Sequence, residues 1–115
     1  MKLIDTIKAL PRERRSATVE AWADGDQACV LYALPLSVAD MKWIQARHKN
    51  FITEFQIEGM VDLIIRKCED EAGEKVFTKE DKQTVMHRAS LDVIGDIFGE
   101  LWGTKGDFGE DAEKN

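Results

Sequence analysis

The side chains best suited to chemistry in this sequence are two histidines, two cysteines and several close pairs of acids. A zinc site needs Cys, His or acidic ligands at short, regular spacings. Cys29, His48, Cys68 and His87 are scattered instead, with no CxxC or HxxxH pair among them. An EF-hand loop built around Gly73 fails too, because non-acidic residues stand where its first and last carboxylates belong. We therefore expect no metal site.

Nucleophilic catalysis and nucleotide binding also lack their usual patterns. A nucleophile needs a base oriented beside it, and the best candidates, His87 and Ser90, are three residues apart with no orienting loop or oxyanion nest. Ser90 is better explained as a helix cap, and the acid pair Asp24/Asp26 as turn chemistry. No GxGxxG or GxxxxGKS/T loop is present to hold a phosphate. The sequence thus predicts a non-enzyme, without catalytic residues or cofactors.

Length, composition and charge indicate one globular domain. The chain has 115 residues, of which 43% are hydrophobic and 33% charged, and no apolar stretch approaches the roughly 20 residues that span a bilayer. Residues 1–19 carry five Lys or Arg against two Asp or Glu, so with a net charge of −6 the remainder carries −9. A mainly acidic body repels phosphate backbones. We expect neither nucleic acid nor a membrane as a partner.

The N-terminal segment and the cysteine count indicate the compartment. The segment has neither the uninterrupted apolar stretch nor the small-residue cleavage site of a secretory signal. The two cysteines are isolated from each other, which is typical of buried thiols in a reducing compartment. We expect a cytoplasmic protein. The basic cluster at residues 12–15 is either a solvated linker or an arm for an acidic partner.

An arm and a hairpin are the first elements predicted. Apolar residues recur at helical spacing from Met1 to Leu10 and are closed by Pro11. They favour a short helix, either frayed until it docks on a partner or packed on its own core. Two β-rich runs then flank a turn around Gly25 and predict a β-hairpin over residues 17–35. Two strands alone are unstable in water, so they must lie on helices or pair with another chain's edge.

Helices are predicted for the rest of the chain, at about residues 37–50, 51–70 and 78–103. Ser37 and Thr78 are good N-caps with acids in the first turn. The second helix is apolar around most of its circumference, which indicates a central position. Ser90 either caps a fourth helix or lies within a bent third one. Residues 104–115, rich in glycine and acids, are expected to be disordered.

The last helix carries the candidate partner surface. Glycines recur at positions 95, 99 and 103 beside a bulky apolar face. This combination indicates either tight packing inside the monomer or a face on which a partner helix docks, since Trp and Phe are frequent interface anchors. On the second alternative, the predicted partner-binding residues are Ile94, Ile97, Phe98, Leu101 and Trp102.

Together these elements predict an α+β fold, mainly α, in which an N-terminal β-hairpin packs on three to four helices. The chain is predicted to divide into three parts. Residues 1–16 form an arm that is either flexible or a short helix, residues 17–103 form one globular domain, and residues 104–115 form a disordered acidic tail.

Three segments of the chain carry a family resemblance. Residues 70–81, DEAGEKVFTKED, are similar to a turn with the pattern D-E-x-G-x-x-L/V-F-T-x-E-D. Residues 34–40, LPLSVAD, take the place of a strand exit, R-x-L-S/T-x-x-E, and residues 3–7, LIDTI, are similar to a short lead-in. In these segments and in the order of its elements, the chain resembles the tail assembly chaperones of tailed bacteriophages, which are encoded just before the tape-measure protein.

The resemblance implies a non-catalytic phage or prophage protein that binds the tape-measure protein and keeps it soluble until tail-tube subunits polymerise around it. Such a protein acts in the host cytoplasm and is absent from the mature virion. The tail-tube protein is a further expected partner, and association into a homo-oligomer is an alternative that the sequence leaves undecided. An acidic domain with an apolar helix face and a strand edge suits the shielding of long apolar stripes. The alternative is a small prophage regulatory or antitoxin-like module that binds one protein through its N-terminal arm.

Overall fold

The structure of the chain, a computed structural model, describes residues 2–10, 12–51 and 56–103. In chain order the elements are α1 (Leu3–Lys8), β1 (Arg15–Thr18), β2 (Val30–Ala33), α2 (Val38–Arg47), α3 (Ile57–Lys67), α4 (Lys82–Arg88) and α5 (Leu91–Trp102). The predicted α+β fold, mainly α with an N-terminal hairpin packed on helices, is confirmed. The tail predicted at residues 104–115 lies outside the described residues.

The hairpin places one of its faces on the helices. β1 and β2 pair antiparallel, with Ala17 opposite Leu31, and β1 packs against α5. Because alternate residues of a strand face the same side, Ala17, Leu31 and Ala33 are buried together, whereas Ser16 and Thr18 on either side of Ala17 are exposed. The strands are thus held by the helices beneath them, as two strands in water require.

The connection between the strands differs from the prediction. β1 begins two residues before the predicted residue 17, and the chain leaves it through a 3-10 turn at Glu20–Trp22 instead of continuing as a strand. The predicted turn follows: Asp24 and Gln27 exchange backbone hydrogen bonds of 2.9 Å. Between them Gly25 has a φ of +61°, which glycine adopts without steric cost.

α2 begins where the sequence predicts and ends early. Ser37 and Asp40 form a reciprocal capping box: the Asp40 backbone N–H donates to Ser37 Oγ at 3.1 Å, and the Ser37 N–H donates to Asp40 Oδ2 at 2.9 Å. The last helical residue is Arg47, three short of the predicted residue 50. The box fixes the first turn and, with it, the position of the Asp40 carboxylate.

α3 occupies the centre of the domain, as its apolar circumference predicts. It packs against α2, α4 and α5. Six of its eleven residues are buried: Gly59, Val61, Asp62, Leu63, Ile64 and Ile65. Residues 52–55, predicted as part of this helix, lie outside the described residues, whereas Phe51 before them is fully buried.

The helix predicted at residues 78–103 consists of two. Thr78 and Asp81 form a capping box, with the Thr78 N–H donating to Asp81 Oδ2 at 2.8 Å, at the 3-10 turn that leads into α4. Ser90 Oγ accepts a hydrogen bond of 3.3 Å from the backbone N–H three residues on. Ser90 therefore caps a separate helix, one of the two alternatives the sequence left open. α5 ends at Gly103 in the left-handed conformation. None of the described helices is both long and apolar enough to cross a membrane.

Candidate functional site

The apolar strip predicted to bind a partner forms part of the core. Ile94, Ile97, Phe98, Leu101 and Trp102 each expose 3% of their surface or less. Phe98 packs edge-on against Phe51 and Trp102, with ring centroids 6.2 and 5.0 Å apart, and Trp102 Nε1 donates to the Leu34 carbonyl at 3.1 Å. In this structure the strip follows the other alternative, tight packing inside the monomer, because the hairpin and α3 cover it and leave no exposed face for a partner.

Gly95 of α5 does not explain that packing either. A methyl group added at Gly95 would meet no atom within 4 Å, so tight packing is not the reason for a glycine there. The close approach occurs at Gly59 in α3, where an added Cβ would lie 2.6 Å from Phe51 Cε1 and 3.4 Å from His48 Cδ2. No pattern in the sequence pointed to Gly59, since Phe51, which fills its space, lies eight residues earlier and outside α3.

An uncovered apolar face exists instead on α1. Leu3, Ile4, Ile7 and Leu10 expose 74%, 53%, 50% and 56% of their surfaces, and α1 buries no residue at all. The spacing of Leu3, Ile4 and Ile7 places them along one side of the helix, and Leu10 follows two residues after its end. Of the two alternatives for this helix, packing on its own core is excluded by that exposure. What remains is a short amphipathic helix whose apolar side faces solvent.

Arg14 anchors the base of this arm to the body. Its guanidinium donates to the backbone carbonyls of Asp70 and Glu71, both at 2.9 Å, and lies 3.3 Å from Glu69 Oε1. It also stacks 4.8 Å from the Tyr32 ring centroid. The basic cluster at residues 12–15 is therefore not only a solvated linker, since Arg14 connects β2 to the turn after α3. The sequence signals neither partner, because both lie far along the chain.

A buried carboxylate network joins α2, α3 and α4. Asp62, only 5% exposed, lies 2.7 Å from His48 Nε2 and 3.0 Å from Lys82 Nζ. Lys82 also contacts Glu58 Oε2 at 2.7 Å. The hydrogen bond with Glu58 is the main reason that the pKa of Lys82 is raised, so the lysine stays charged between two carboxylates. The arrangement holds three helices together by ion pairs.

The same cluster contains a geometry that metal ions use. His48, Glu58 and Asp62 each offer one ligand atom, and these atoms lie within 4.8 Å of one another. The Lys82 ammonium already contacts both carboxylates, so a bound cation would have to displace it. The donor set therefore fits an ion-pair network better than a metal centre, and we assign no metal ligand to it.

Asp40 is a second buried carboxylate, and it joins α2 to the end of α3. Lys67 Nζ donates to Asp40 Oδ2 at 2.7 Å and Arg66 Nε to Asp40 Oδ1 at 3.3 Å. Burial opposes ionisation, but the hydrogen bonds from Lys67 and Ser37 and the charge of Lys67 outweigh it and hold the pKa of Asp40 at about 2. The carboxylate is thus ionised and fully engaged in structural contacts.

Trp43 lies beside Asp40 and carries two stacked arginines. The guanidinium carbons of Arg47 and Arg66 lie 4.9 and 4.4 Å from the centroid of the indole ring. Trp43 is half-buried against the core, while the side chains of Arg47 and Arg66 are 53% and 39% exposed. The spacing of Trp43 and Arg47, four residues apart in α2, could have indicated their contact. The arrival of Arg66 from α3 could not be foreseen.

The remaining candidates for chemistry have structural roles or are unreactive. Cys29 and Cys68 are free thiols. Burial raises the pKa of Cys68 to about 12 and also raises that of Cys29, which disfavours the reactive thiolate. Ser90 caps α5. Among the described residues, every buried side-chain nitrogen or oxygen has a hydrogen-bond partner, so none is left directed at a ligand.

The chain has no match in three comparisons: no protein-family model, no curated protein and no solved structure is similar to it.

Proposed function

We propose that this protein is a phage or prophage tail assembly chaperone that binds the tape-measure protein in the host cytoplasm, without catalysis, and keeps it soluble until the tail tube forms. The observation that carries the proposal is the exposed apolar side of α1 at Leu3, Ile4 and Ile7, together with the exposed Leu10 just after the helix. The three segments that resemble the chaperone family support it. On this proposal the protein is absent from the mature virion.

A short exposed helix suits a partner that is itself long, helical and striped with apolar residues. The apolar side of α1 can lie in a hydrophobic groove formed by apolar residues of the partner. Covering four half-exposed apolar side chains contributes on the order of 4 kcal/mol, from which the cost of association must still be subtracted. Each contact is therefore weak and reversible. Reversibility is what a chaperone needs, because tail-tube subunits must later replace it.

The experiment that tests the proposal is co-expression with the tape-measure protein encoded beside this chain. We expect the native chain to raise the soluble yield of the tape-measure protein and to co-purify with it. The double substitution Ile4→Glu/Ile7→Glu should abolish both effects, since it places charges in the apolar side of α1. Neither isoleucine is buried, so the variant should melt at the native temperature. The matched control is Leu91→Glu, which charges an apolar residue that is more than half exposed, at the start of α5.

Two results would contradict the proposal in different ways. If the native chain neither raises the soluble yield nor co-purifies, the chaperone function is wrong. If the Ile4→Glu/Ile7→Glu variant performs as well as the native chain, the function stands but α1 is not the surface that carries it. Mass spectrometry of purified virions tests the localisation, and finding the chain there in stoichiometric amount would contradict its removal before maturation.

A further inference from the structure

The helices α2 and α3 present a positive surface on an acidic protein. The described residues 38–51 and 56–67 contain five Lys or Arg and three Asp or Glu, whereas the whole chain has a net charge of −6. Burial sharpens the difference, because Asp40 and Asp62 are 6% and 5% exposed. The basic residues of the same helices that face solvent are Lys42, Arg47 and Arg66, and Lys49 is exposed in the turn after α2. Glu58, whose side chain is 49% exposed, is the one acid of these helices that faces solvent, so exposed cations outnumber exposed anions here.

The two arginines on Trp43 retain hydrogen-bonding capacity. Stacking uses the flat face of a guanidinium, and it leaves the N–H donors at the edge free to bind a carboxylate in its plane. Arg47 Nε is 3.9 Å from Asp62 Oδ2, beyond hydrogen-bond distance. Arg66 uses only Nε, toward Asp40. Among the described residues, the terminal nitrogens of both arginines have no hydrogen-bond acceptor.

We propose that Arg47, Trp43 and Arg66 form a docking surface for an acidic, carboxylate-bearing segment of a partner protein. The stacked guanidiniums are held in place before binding, so little side-chain freedom remains to be lost. The half-buried Trp43 indole offers an apolar contact beside the charges, the combination common at the centre of protein interfaces. Nucleic acid fits this docking surface less well, because the protein as a whole is acidic and repels an extended phosphate backbone. The inference does not depend on the tape-measure proposal, since it concerns a different surface.

The test uses the full chain and a synthetic peptide with Glu and Leu at helical spacing, together with a twin peptide that has Gln in place of every Glu. Binding is followed by the NMR signal of the Trp43 indole N–H, assigned by its loss in Trp43→Phe, and by calorimetry. We expect the Glu peptide to shift that signal, added salt to weaken binding, and the Gln peptide to bind at least about tenfold more weakly. Arg47→Gln/Arg66→Gln should weaken binding by a similar factor, while Arg88→Gln, an exposed arginine on α4, should not.

Several outcomes would overturn the proposal. Equal binding of the Glu and Gln peptides would show an apolar surface without charge recognition. Tighter binding of a single-stranded oligonucleotide of equal charge would make the surface a nucleic-acid site. A shift of the Trp43 signal on dilution would identify a second copy as the occupant, and a shift on truncation after Gly103 would identify the chain's own acidic terminus. If the double glutamine variant unfolds, Arg47→Lys/Arg66→Lys serves in its place, since it keeps both charges but removes the planar donors. Native affinity of the double lysine variant for the Glu peptide would refute the role of the guanidinium edges.

Discussion

Replacing Asp40 by asparagine isolates the charge that joins α2 to α3. Asparagine has the same shape and can still accept the hydrogen bond from the Ser37 backbone, so the helix cap is kept. What is lost is the negative charge facing Lys67 and Arg66, whose nitrogens lie 2.7 and 3.3 Å away. The substitution therefore removes the ion pairs without leaving a cavity.

The pKa of Asp40 sets the size of the effect. It falls from an ordinary 3.8 to about 2 in the folded protein, and at about 1.4 kcal/mol for each unit the shift corresponds to at most about 2.5 kcal/mol of stability. Arg66 is partly exposed and therefore screened by solvent. We expect Asp40→Asn to lower the free energy of unfolding by about 1–2 kcal/mol near pH 7.

The same shift predicts how the difference depends on pH. Because the folded-state pKa lies below the unfolded one, the Asp40 contribution is complete above about pH 5 and is lost as the pH falls through about 4 to 2. Urea unfolding of the native chain and Asp40→Asn, followed by circular dichroism between pH 7 and 3, should show the gap shrinking by about half at the acid end. Asp96→Asn, an exposed acid on α5, is the control. A gap that stays constant with pH, or no gap at pH 7, would refute the ion-pair account.

Three further predictions concern packing and thiol reactivity. Gly59→Ala should lower the free energy of unfolding by about 1–3 kcal/mol, because the added methyl group meets a buried phenylalanine ring. Gly95→Ala has open space around the added methyl group and should raise the free energy of unfolding by about 0.5–1 kcal/mol. Urea titrations measure both effects. Phe98→Ala should cost about 3–5 kcal/mol in the same assay, since the ring is in the core and not at an interface. A thiol reagent should modify Cys29 well before the fully buried Cys68 in the native protein, and both at similar rates in urea.

Local signals in the sequence predicted the capped starts of helices, because a cap is made by residues three apart. Ser37 with Asp40, Thr78 with Asp81 and Ser90 with its following turn all form the bonds that their spacing implies. The turn at Gly25 follows the same rule. Such contacts require no knowledge of the rest of the fold. They also explain why the order and type of the elements could be predicted when their partners could not.

Contacts between distant parts of the chain determine which surfaces are left open for the proposed functions. The sequence did not reveal these contacts. Helical periodicity showed that the Ile94-to-Trp102 strip must be covered, but it could not show whether the hairpin or another protein covers it. Arg14 stood only within a basic cluster and Arg66 was not singled out, yet Arg14 anchors the arm and Arg66 stacks on Trp43. For α1 the sequence left two alternatives, and only the exposure of its apolar side decided between them.

Burial of the Ile94-to-Trp102 strip changes what partner binding must do to the domain. Docking on that strip would require α5 to leave the core, which exposes Phe98 and Trp102 and costs much of the stability of a domain this size. Docking on α1 leaves the body intact. We therefore expect a partner to protect the backbone amides of α1 from hydrogen exchange and to leave those of α3 and α5 unchanged. Faster exchange in α5 on binding would show that the core opens, and the arm would then not be the docking element.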